Sequence, residues 1–333
     1  MISKKELINA LQVVRPGLAK KELIEQSASI AFVEGAIATY NDEIAVSYPI
    51  KGIDFAGAVP GAELMSVLMK SKDEEVEIGT EGGELSIRGA KFKALIRMSE
   101  RITLPLDSLK PGRQKPIPEG FISSLSLCLF SAGKDLSKPM LTCIHANDDT
   151  AESCDNFRLT QARFSGAVDF PMLLPAVAVR ELVKREAVKY SVADGWAHFK
   201  DVGGCLFSCR TFEGEYPDLG PIAELEAPYP LKFPPDMDGI LDRASVALLD
   251  SDVQEVKVSV GKGTVTVKSE GDVIRYEEST EMRSRKEISF SINPLFLRDI
   301  LTKHSKAEIA EDMSKMRFSS EGFLHVIALS SGM

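Results

Sequence analysis

One pattern recurs three times along the 333-residue chain at a nearly constant spacing. In each copy a proline opens a stretch of helical periodicity that ends in a lysine. The prolines are Pro60, Pro175 and Pro294, which lie 115 and 119 residues apart, and the lysines are Lys70, Lys184 and Lys303. Proline is favoured in the first helical turn and a cation in the last, so each copy predicts a helix with these two residues at its ends.

A second helical pattern precedes each of these segments by roughly fifty to sixty residues. Its apolar residues share one helix face in every copy. They are Leu7, Ile8 and Leu11; Phe121, Ile122, Leu125 and Leu129; and Ile240, Leu241, Ala244 and Leu248. Two markers at one period predict three homologous domains, spanning 1–113, 114–226 and 227–333.

The chain between the helical patterns alternates apolar and polar residues, which is typical of half-buried strands. The clearest alternating segments are 76–78, 84–88, 256–260 and 264–268, and the turn signals between them are 81–83, 261–263 and 270–272. Proline-rich stretches at 109–116 and 227–235 suggest joints between domains. The sequence therefore predicts an α+β fold of three repeated domains, each with two helices packed on antiparallel sheets.

Composition and charge exclude several classes of protein. Apolar residues make up 44% and charged residues 27%, which is a globular composition, and the net charge of −9 gives no overall basic field for nucleic acid. Lysines and arginines nevertheless concentrate on the predicted helices, where they either face water or meet phosphates through weak contacts. Neither a signal peptide nor a membrane-spanning segment is recognisable, so we expect no membrane partner and a cytoplasmic location.

No familiar catalytic or metal-binding motif occurs in the chain. The phosphate-binding, zinc-protease and nucleophile-elbow motifs are absent, and the five cysteines and four histidines lack zinc-ligand spacing. The acidic pair Asp148–Asp149 fits a hairpin turn better than a metal site. We therefore expect no catalytic residue, metal or cofactor, although an enzyme whose site shows in no motif remains an alternative reading.

Three strings and their order along the chain resemble one family, the bacterial DNA polymerase III β sliding clamps. Residues 153–159 resemble the family's ATDGxRLA segment, residues 138–142 its RPxLTG strand and residues 212–218 its xxGxFPDY motif. The match continues to Asn293-Pro294 before the last predicted helix. The resemblance implies that two chains close head to tail into a six-domain ring around duplex DNA. Such a ring is a non-catalytic processivity factor of a DNA polymerase.

The resemblance also implies a pocket that takes short peptides from the replicative polymerase and the clamp loader. Carried over position by position, the pocket consists of Leu141, Cys154, Asn156, Phe157, Arg158, Leu159, Pro217, Ile222, Asn293, Phe296, Met313, Val326 and Ala328. Apolar residues near a domain joint fit this role, although several of them could equally be core residues. Lys20 and Lys138 are the implied contacts to double-stranded DNA, which would be independent of base sequence.

The chain departs from the family pattern in places. Asn156 stands where the family has glycine, a substitution that a left-handed backbone would tolerate. The last residues, 327–333, lack the usual tail of the family, and the compactness and divergence of the chain would suit a clamp encoded by a bacteriophage. The alternative function is a clamp-fold scaffold that binds partner peptides without encircling DNA.

Overall fold

The computed structural model describes residues 1–33, 35–226, 228–249, 251, 254–284 and 286–330. Within these residues the helices are α1 Lys4–Val14, α2 Gly61–Lys70, α3 Phe121–Cys128, α4 Ala176–Leu182, α5 Gly220–Ala223, α6 Met237–Ser245 and α7 Pro294–Leu301. None of them is long and apolar enough to cross a membrane.

The strands are short and antiparallel. In chain order they are β1 Ile2–Ser3, β2 Ser29–Val33, β3 Ala36–Tyr40, β4 Ile44–Pro49, β5 Gly57–Pro60, β6 Glu75–Glu81, β7 Glu84–Arg88, β8 Lys93–Arg97, β9 Lys115–Pro116, β10 Cys143–Asn147, β11 Thr150–Cys154, β12 Arg158–Arg163, β13 Met172–Pro175, β14 Ala187–Ala193, β15 Trp196–Asp201, β16 Leu206–Arg210, β17 Tyr229–Lys232, β18 Val256–Gly261, β19 Thr264–Glu270, β20 Arg275–Glu281, β21 Ile288–Ile292, β22 Lys306–Ile309, β23 Lys315–Ser320 and β24 Phe323–Ala328. The predicted α+β class is confirmed.

The chain divides into two compact units. The first unit comprises Met1–Ile122 and Met172–Glu213, and the second comprises Ser123–Pro171 and Gly214–Met333. The division into three domains stays a prediction, and Ala227, where the third domain would begin, lies outside the described residues.

The first unit contains two sheets. The larger has the strand order β5-β2-β3-β4-β16-β15-β14-β9, and the smaller has the order β1-β6-β7-β8. Helix α1 buries Leu7, Ala10, Leu11 and Val14 on one face and packs on β3 and β4. The large sheet is continuous because β4 pairs with β16, which lies more than 150 residues further along the chain.

The second unit repeats this arrangement. Its larger sheet includes the strands β10-β11-β12-β24-β23-β22-β17 in that order, and its smaller sheet has the order β20-β19-β18-β21. Helices α6 and α7 pack on each other, as α1 and α2 do in the first unit. Here β12 and β24 make the long-range junction, with Leu159 directly opposite Val326.

The predicted helices are present, but the roles of their end residues differ. Pro294 is the first residue of α7, as predicted, and Asn293 caps that helix by accepting a hydrogen bond from the Leu295 amide at 2.9 Å. Pro60 and Pro175 instead end the preceding strands and stand one position before α2 and α4. Lys70 ends α2, whereas Lys184 and Lys303 each lie two residues beyond the last residue of α4 and α7.

The predicted hairpins are confirmed. Strands β6 and β7 are joined at Gly82 and Gly83, whose φ angles are 61° and 82°, and β18 and β19 are joined at Lys262 and Gly263. Asp148, with φ of 47°, turns β10 into β11. These positions require the left-handed backbone that glycine and aspartate tolerate best.

Candidate functional site

The turn between β11 and β12 organises the predicted pocket residues. The Asp155 carboxylate accepts hydrogen bonds from the amides of Phe157 and Arg158 at 2.8 and 2.9 Å, which fixes a tight Asx turn. Asn156 lies at the tip of this turn and is exposed. It is not among the described residues with positive φ, so it does not need the left-handed backbone that we expected there.

An apolar cavity of about 270 Å³ opens beside this turn in the second unit. Its floor consists of Cys154, Leu159 and Val326, which are 6%, 2% and 2% exposed and belong to one core cluster. Its full lining is Cys154, Asp155, Asn156, Phe157, Arg158, Leu159, Ile222, Ser314, Lys315, Val326 and Ala328. A cleft with a buried apolar floor and a few polar groups at its rim is typical of a ligand-binding site.

The Lys315 side chain ties one wall of the apolar cavity in place. Its ammonium donates hydrogen bonds to the carbonyl oxygens of Ile222 and Glu224, at 3.1 and 2.7 Å. Ile222 itself is 50% exposed. The wall therefore offers an accessible apolar side chain whose backbone is held in place.

The Tyr216 hydroxyl supports the floor from below. It accepts a hydrogen bond from the Cys154 amide at 2.9 Å, and its ring stacks on His145 at a centroid distance of 5.1 Å. His145 in turn lies 2.8 Å from the Glu152 carboxylate. Burial raises the pKa of Tyr216 well above its usual range, so its hydroxyl stays protonated.

Arg158 is a largely buried cation between two aromatic rings. Only 9% of its side chain is exposed, and its guanidinium carbon lies 4.0 Å from the ring centroid of Phe296 and 5.8 Å from that of Phe130. Asp155 and Asp299 approach it at 3.3 and 3.5 Å. Its buried Nη1 makes no hydrogen bond within the described residues and lies 3.5 Å from the Asp299 carboxylate.

A second cavity of about 240 Å³ shares the Asp155–Arg158 turn with the first. Phe157, which is 58% exposed, stands 6.2 Å from Phe296 across it. Lys138 also lines this cavity, and its ammonium donates a hydrogen bond to the Asn156 side-chain oxygen at 2.9 Å. The two cavities together form a bipartite groove on one side of the second unit.

Most of the residues assigned from the resemblance come together in this groove. Cys154, Asn156, Phe157, Arg158, Leu159, Ile222, Val326 and Ala328 line the apolar cavity, and Leu141 and Phe296 line its neighbour. Pro217, Asn293 and Met313 line neither cavity. Pro217 is exposed beside Tyr216, Asn293 caps α7, and Met313 lies in the turn before Ser314. Lys20 is exposed in the first unit, after α1.

Sequence reasoning missed several residues of the groove. Ser314 and Lys315 line the apolar cavity, Tyr216 and Leu219 support its floor, and Asp299 approaches Arg158. Tyr216 lies within residues 212–218, one of the strings that carry the resemblance, so the sequence could have indicated its place near the groove. The described residues contain no group of acidic, histidine or cysteine side chains arranged to hold a metal ion.

No family model and no curated protein matches the sequence. Solved structures do match. The β chain of DNA polymerase III from Streptococcus pneumoniae is 16% identical, with a TM-score of 0.87 over 99% of this chain and 98% of that one. The β subunit from Thermotoga maritima is 17% identical, with a TM-score of 0.84 over 100% and 99%.

A third match is the Helicobacter pylori β clamp bound to a DNA ligase peptide. It is 16% identical and has a TM-score of 0.79 over 99% of both chains. These matches cover 98% or more of each chain. The chain described here therefore has the fold of the DNA polymerase III β subunits, the family that its sequence resembles.

Proposed function

We propose that the protein is a DNA sliding clamp, a non-catalytic processivity factor that encircles duplex DNA and tethers replication proteins to it. The observation that carries the proposal is the full-length likeness to β subunits of DNA polymerase III, at TM-scores of 0.79 to 0.87. The location would be the cytoplasm of a bacterium or of a phage-infected cell. No cofactor is required, because topological linkage rather than bond chemistry holds a clamp on its substrate.

The bipartite groove is the proposed binding site for partner peptides. The Helicobacter pylori clamp was crystallised with a DNA ligase peptide, and we propose that short segments of the polymerase and the clamp loader bind here in a similar way. The apolar cavity would take apolar side chains against Leu159, Val326 and Ile222. Arg158, whose guanidinium is largely buried beside Phe296, would form part of the wall there.

The three-domain division is part of the same proposal. Strands β1–β8, β9–β16 and β17–β24 fall within the predicted ranges 1–113, 114–226 and 227–333, which gives eight strands to each range among the described residues. The fourth strand of the first set, β4, pairs with the eighth of the second, β16. The fourth strand of the second set, β12, pairs with the eighth of the third, β24.

In both junctions the fourth strand of one set pairs with the eighth strand of the next set. Two strands, one fourth and one eighth, have no such partner within the described part of the chain. The fourth strand of the third set is β20 and the eighth of the first is β8, and both stand at the ends of four-stranded sheets. We propose that β20 of one chain pairs with β8 of a second chain, and the reverse, which closes a head-to-tail dimer. A heterologous contact that closes on itself gives a ring and leaves neither β8 nor β20 as an open sheet edge.

The charges on the two leftover strands are complementary. Strand β8 carries Lys93 and Arg97, whereas β20 carries Glu277, Glu278 and Glu281 against a single cation, Arg275. Both internal junctions align the first residue of the fourth strand with the penultimate residue of the eighth. The same alignment would set Glu278 opposite Lys93 of the second chain, a favourable cross-strand pair.

Retention on closed and open DNA tests encirclement directly. The protein is loaded on nicked circular DNA with a clamp loader, and the bound fraction is followed over time before and after linearisation. A clamp stays on the circle and runs off the linear ends, whereas equal loss from both forms contradicts encirclement. If a polymerase peptide binds but the circle is never retained, the alternative of a peptide-binding scaffold with this fold is favoured.

A further inference from the structure

A groove of about 760 Å³ lies at the open edge of the larger sheet in the second unit and shares no lining residue with the proposed peptide site. We call it the edge groove. Strand β17 forms its edge, β22 and β23 continue its floor, and residues 283 and 284 close one side. Its charged residues are Lys232, Arg283, Lys306, Glu308 and Arg317. The volume falls in the range of ligand-binding clefts.

The edge groove carries an uncompensated positive charge. Arg317 is matched, because its Nε and Nη2 donate hydrogen bonds to the Glu308 carboxylate at 3.0 and 2.6 Å. Lys232, Arg283 and Lys306 are all exposed and make no ion pair within the described part of the chain. Three free cations therefore surround one groove in a protein whose net charge is −9.

The backbone of β17 adds hydrogen-bonding groups to the edge groove. The Phe233 amide donates to the Ser305 carbonyl at 2.9 Å, and Leu231 lies opposite Ala307, so the odd-numbered residues of β17 face β22. Because backbone groups alternate sides along a strand, those of Pro230 and Lys232 point to the open edge. That edge offers two carbonyl acceptors and the single N–H of Lys232, since proline has none.

We infer that the edge groove binds an acidic, extended peptide segment of a partner protein. Its carboxylates would pair with Lys232, Arg283 and Lys306, and its backbone amides would donate to the two outward carbonyls of β17. A phosphodiester chain would satisfy the cations but has no backbone donor for these carbonyls. Pro230 removes one hydrogen bond from any added strand, so the interaction would be weak and reversible.

The test uses the full chain and fluorescence anisotropy at low salt. The probe is a fluorescein-labelled heptapeptide of alternating glutamate and valine, and the comparison peptide has glutamine in place of glutamate. The test variant is Lys232→Glu with Lys306→Glu, which reverses two exposed charges directly opposite each other across β17 and β22. The matched control is Lys189→Glu with Lys200→Glu, a pair equally exposed and directly opposite across β14 and β15 of the first unit.

We expect the acidic peptide to bind, the glutamine peptide to bind at least about tenfold more weakly, and added salt to weaken the interaction. The test variant should lose at least about tenfold in affinity, while the control pair changes it less than about twofold. Equal binding by the test variant and the wild type would overturn the inference, as would no binding of the acidic peptide. A single-stranded oligothymidylate that binds more tightly than the peptide, and is lost in the same variant, would assign the groove to nucleic acid instead.

Discussion

At the scale of single residues, the side chains around the apolar cavity differ in what they contribute. Leu159 and Val326 are almost wholly buried, so truncating either to alanine removes core packing, and Leu159→Ala should cost about 2–5 kcal/mol of unfolding free energy. A loss of peptide binding in such variants could therefore result from unfolding and not from a lost contact with the peptide. Ile222 is half exposed and lies on the cavity wall, so it reports on binding with little effect on the core.

The variant Ile222→Lys should abolish most peptide binding while the protein stays folded. A lysine there places a charge at an apolar cavity, which should weaken a polymerase-derived peptide by at least about tenfold. Isothermal titration calorimetry measures the affinity, and a thermal melt checks the fold. Val202→Lys is the control, since Val202 is 78% exposed and lies in the first unit. Unchanged affinity in Ile222→Lys would place the peptide site elsewhere.

The sequence allowed part of this groove to be anticipated. Arg158 and Leu159 stand inside a string whose order resembles the β clamps, so their neighbourhood could be named in advance. The bonds from Lys315 to the Ile222 and Glu224 carbonyls could not, because they join residues more than 90 positions apart through backbone atoms that carry no residue identity. The burial of Arg158 beside the rings of Phe296 and Phe130 was likewise not predictable from the string that contains it.

His325 makes the stability of the fold depend on pH. It lies opposite Thr160 across β24 and β12, with Nδ1 2.9 Å from the threonine hydroxyl. Burial, and next the nearby charge of Arg158, lower the pKa of His325 to about 3 from the ordinary value of 6.5, with His304 adding to the effect. The unfolded chain therefore binds a proton between these values that the folded chain does not, so stability falls as pH drops below about 6.5.

The variant His325→Gln isolates this effect from other titrating groups. The difference in unfolding free energy between wild type and variant should shrink from pH 7 to pH 5, by up to about 1.4 kcal/mol for each pH unit below 6.5. Urea denaturation at a series of pH values measures it. A difference that stays constant across this range would show that His325 does not titrate on unfolding.

At the scale of elements, the sequence predicts local structure such as hairpins but not the pairing of strands that are distant in the chain. The hairpin β18–β19 was predictable, because alternation and a Gly-Lys-Gly turn lie within 20 residues of each other. The junction of β12 with β24 was not predictable, since Thr160 and His325 are 165 positions apart and nothing in either strand's sequence specifies the other as its partner. The predicted ends of α2, α4 and α7 agree with the structure to within two residues. Pro60 and Pro175, however, are the last residues of the preceding strands and not the first residues of helices.

The edges of β8 and β20 give a prediction about assembly. Replacing Lys93 and Arg97 by glutamate sets like charges against the acidic strand β20 of the second chain, and the proposed dimer should dissociate into monomers. Replacing Glu277 and Glu278 by lysine in the same chain restores opposite charges and should restore the dimer at least in part. Size-exclusion chromatography with light scattering measures the mass of each variant.

The masses of the wild type and the two variants together distinguish the β8–β20 contact from other interfaces and from a monomer. Loss of the dimer in the first variant and recovery in the combined one supports the β8–β20 contact. A wild-type monomer at micromolar concentration contradicts ring closure altogether, and a dimer that survives the first substitutions places the interface on other strands. Neither β8 nor β20 contains proline, in contrast to β17, so both edges are able to pair along their length.

At the scale of the whole molecule, a chain with a net charge of −9 cannot hold DNA by its overall field. Binding to a duplex would therefore have to come from a few local cations, which suits the proposed sliding ring. Lys20 is exposed and makes no ion pair among the described residues, so its charge is available. Lys138 is partly engaged, because it donates to Asn156 beside the second cavity.

This difference makes the two lysines separable by experiment. Lys20→Glu should weaken DNA binding and leave peptide binding unchanged, whereas Lys138→Glu should weaken both, because it also removes the hydrogen bond that holds Asn156. For each phosphate that a variant no longer neutralises, the slope of log affinity against log salt should become shallower by about 1. Anisotropy with a labelled duplex at several salt concentrations measures the slope, with Lys189→Glu as an exposed control. Equal slopes for Lys20→Glu and wild type would remove Lys20 from the proposed DNA contacts, and the proposed ring would then depend on cations that the sequence did not single out.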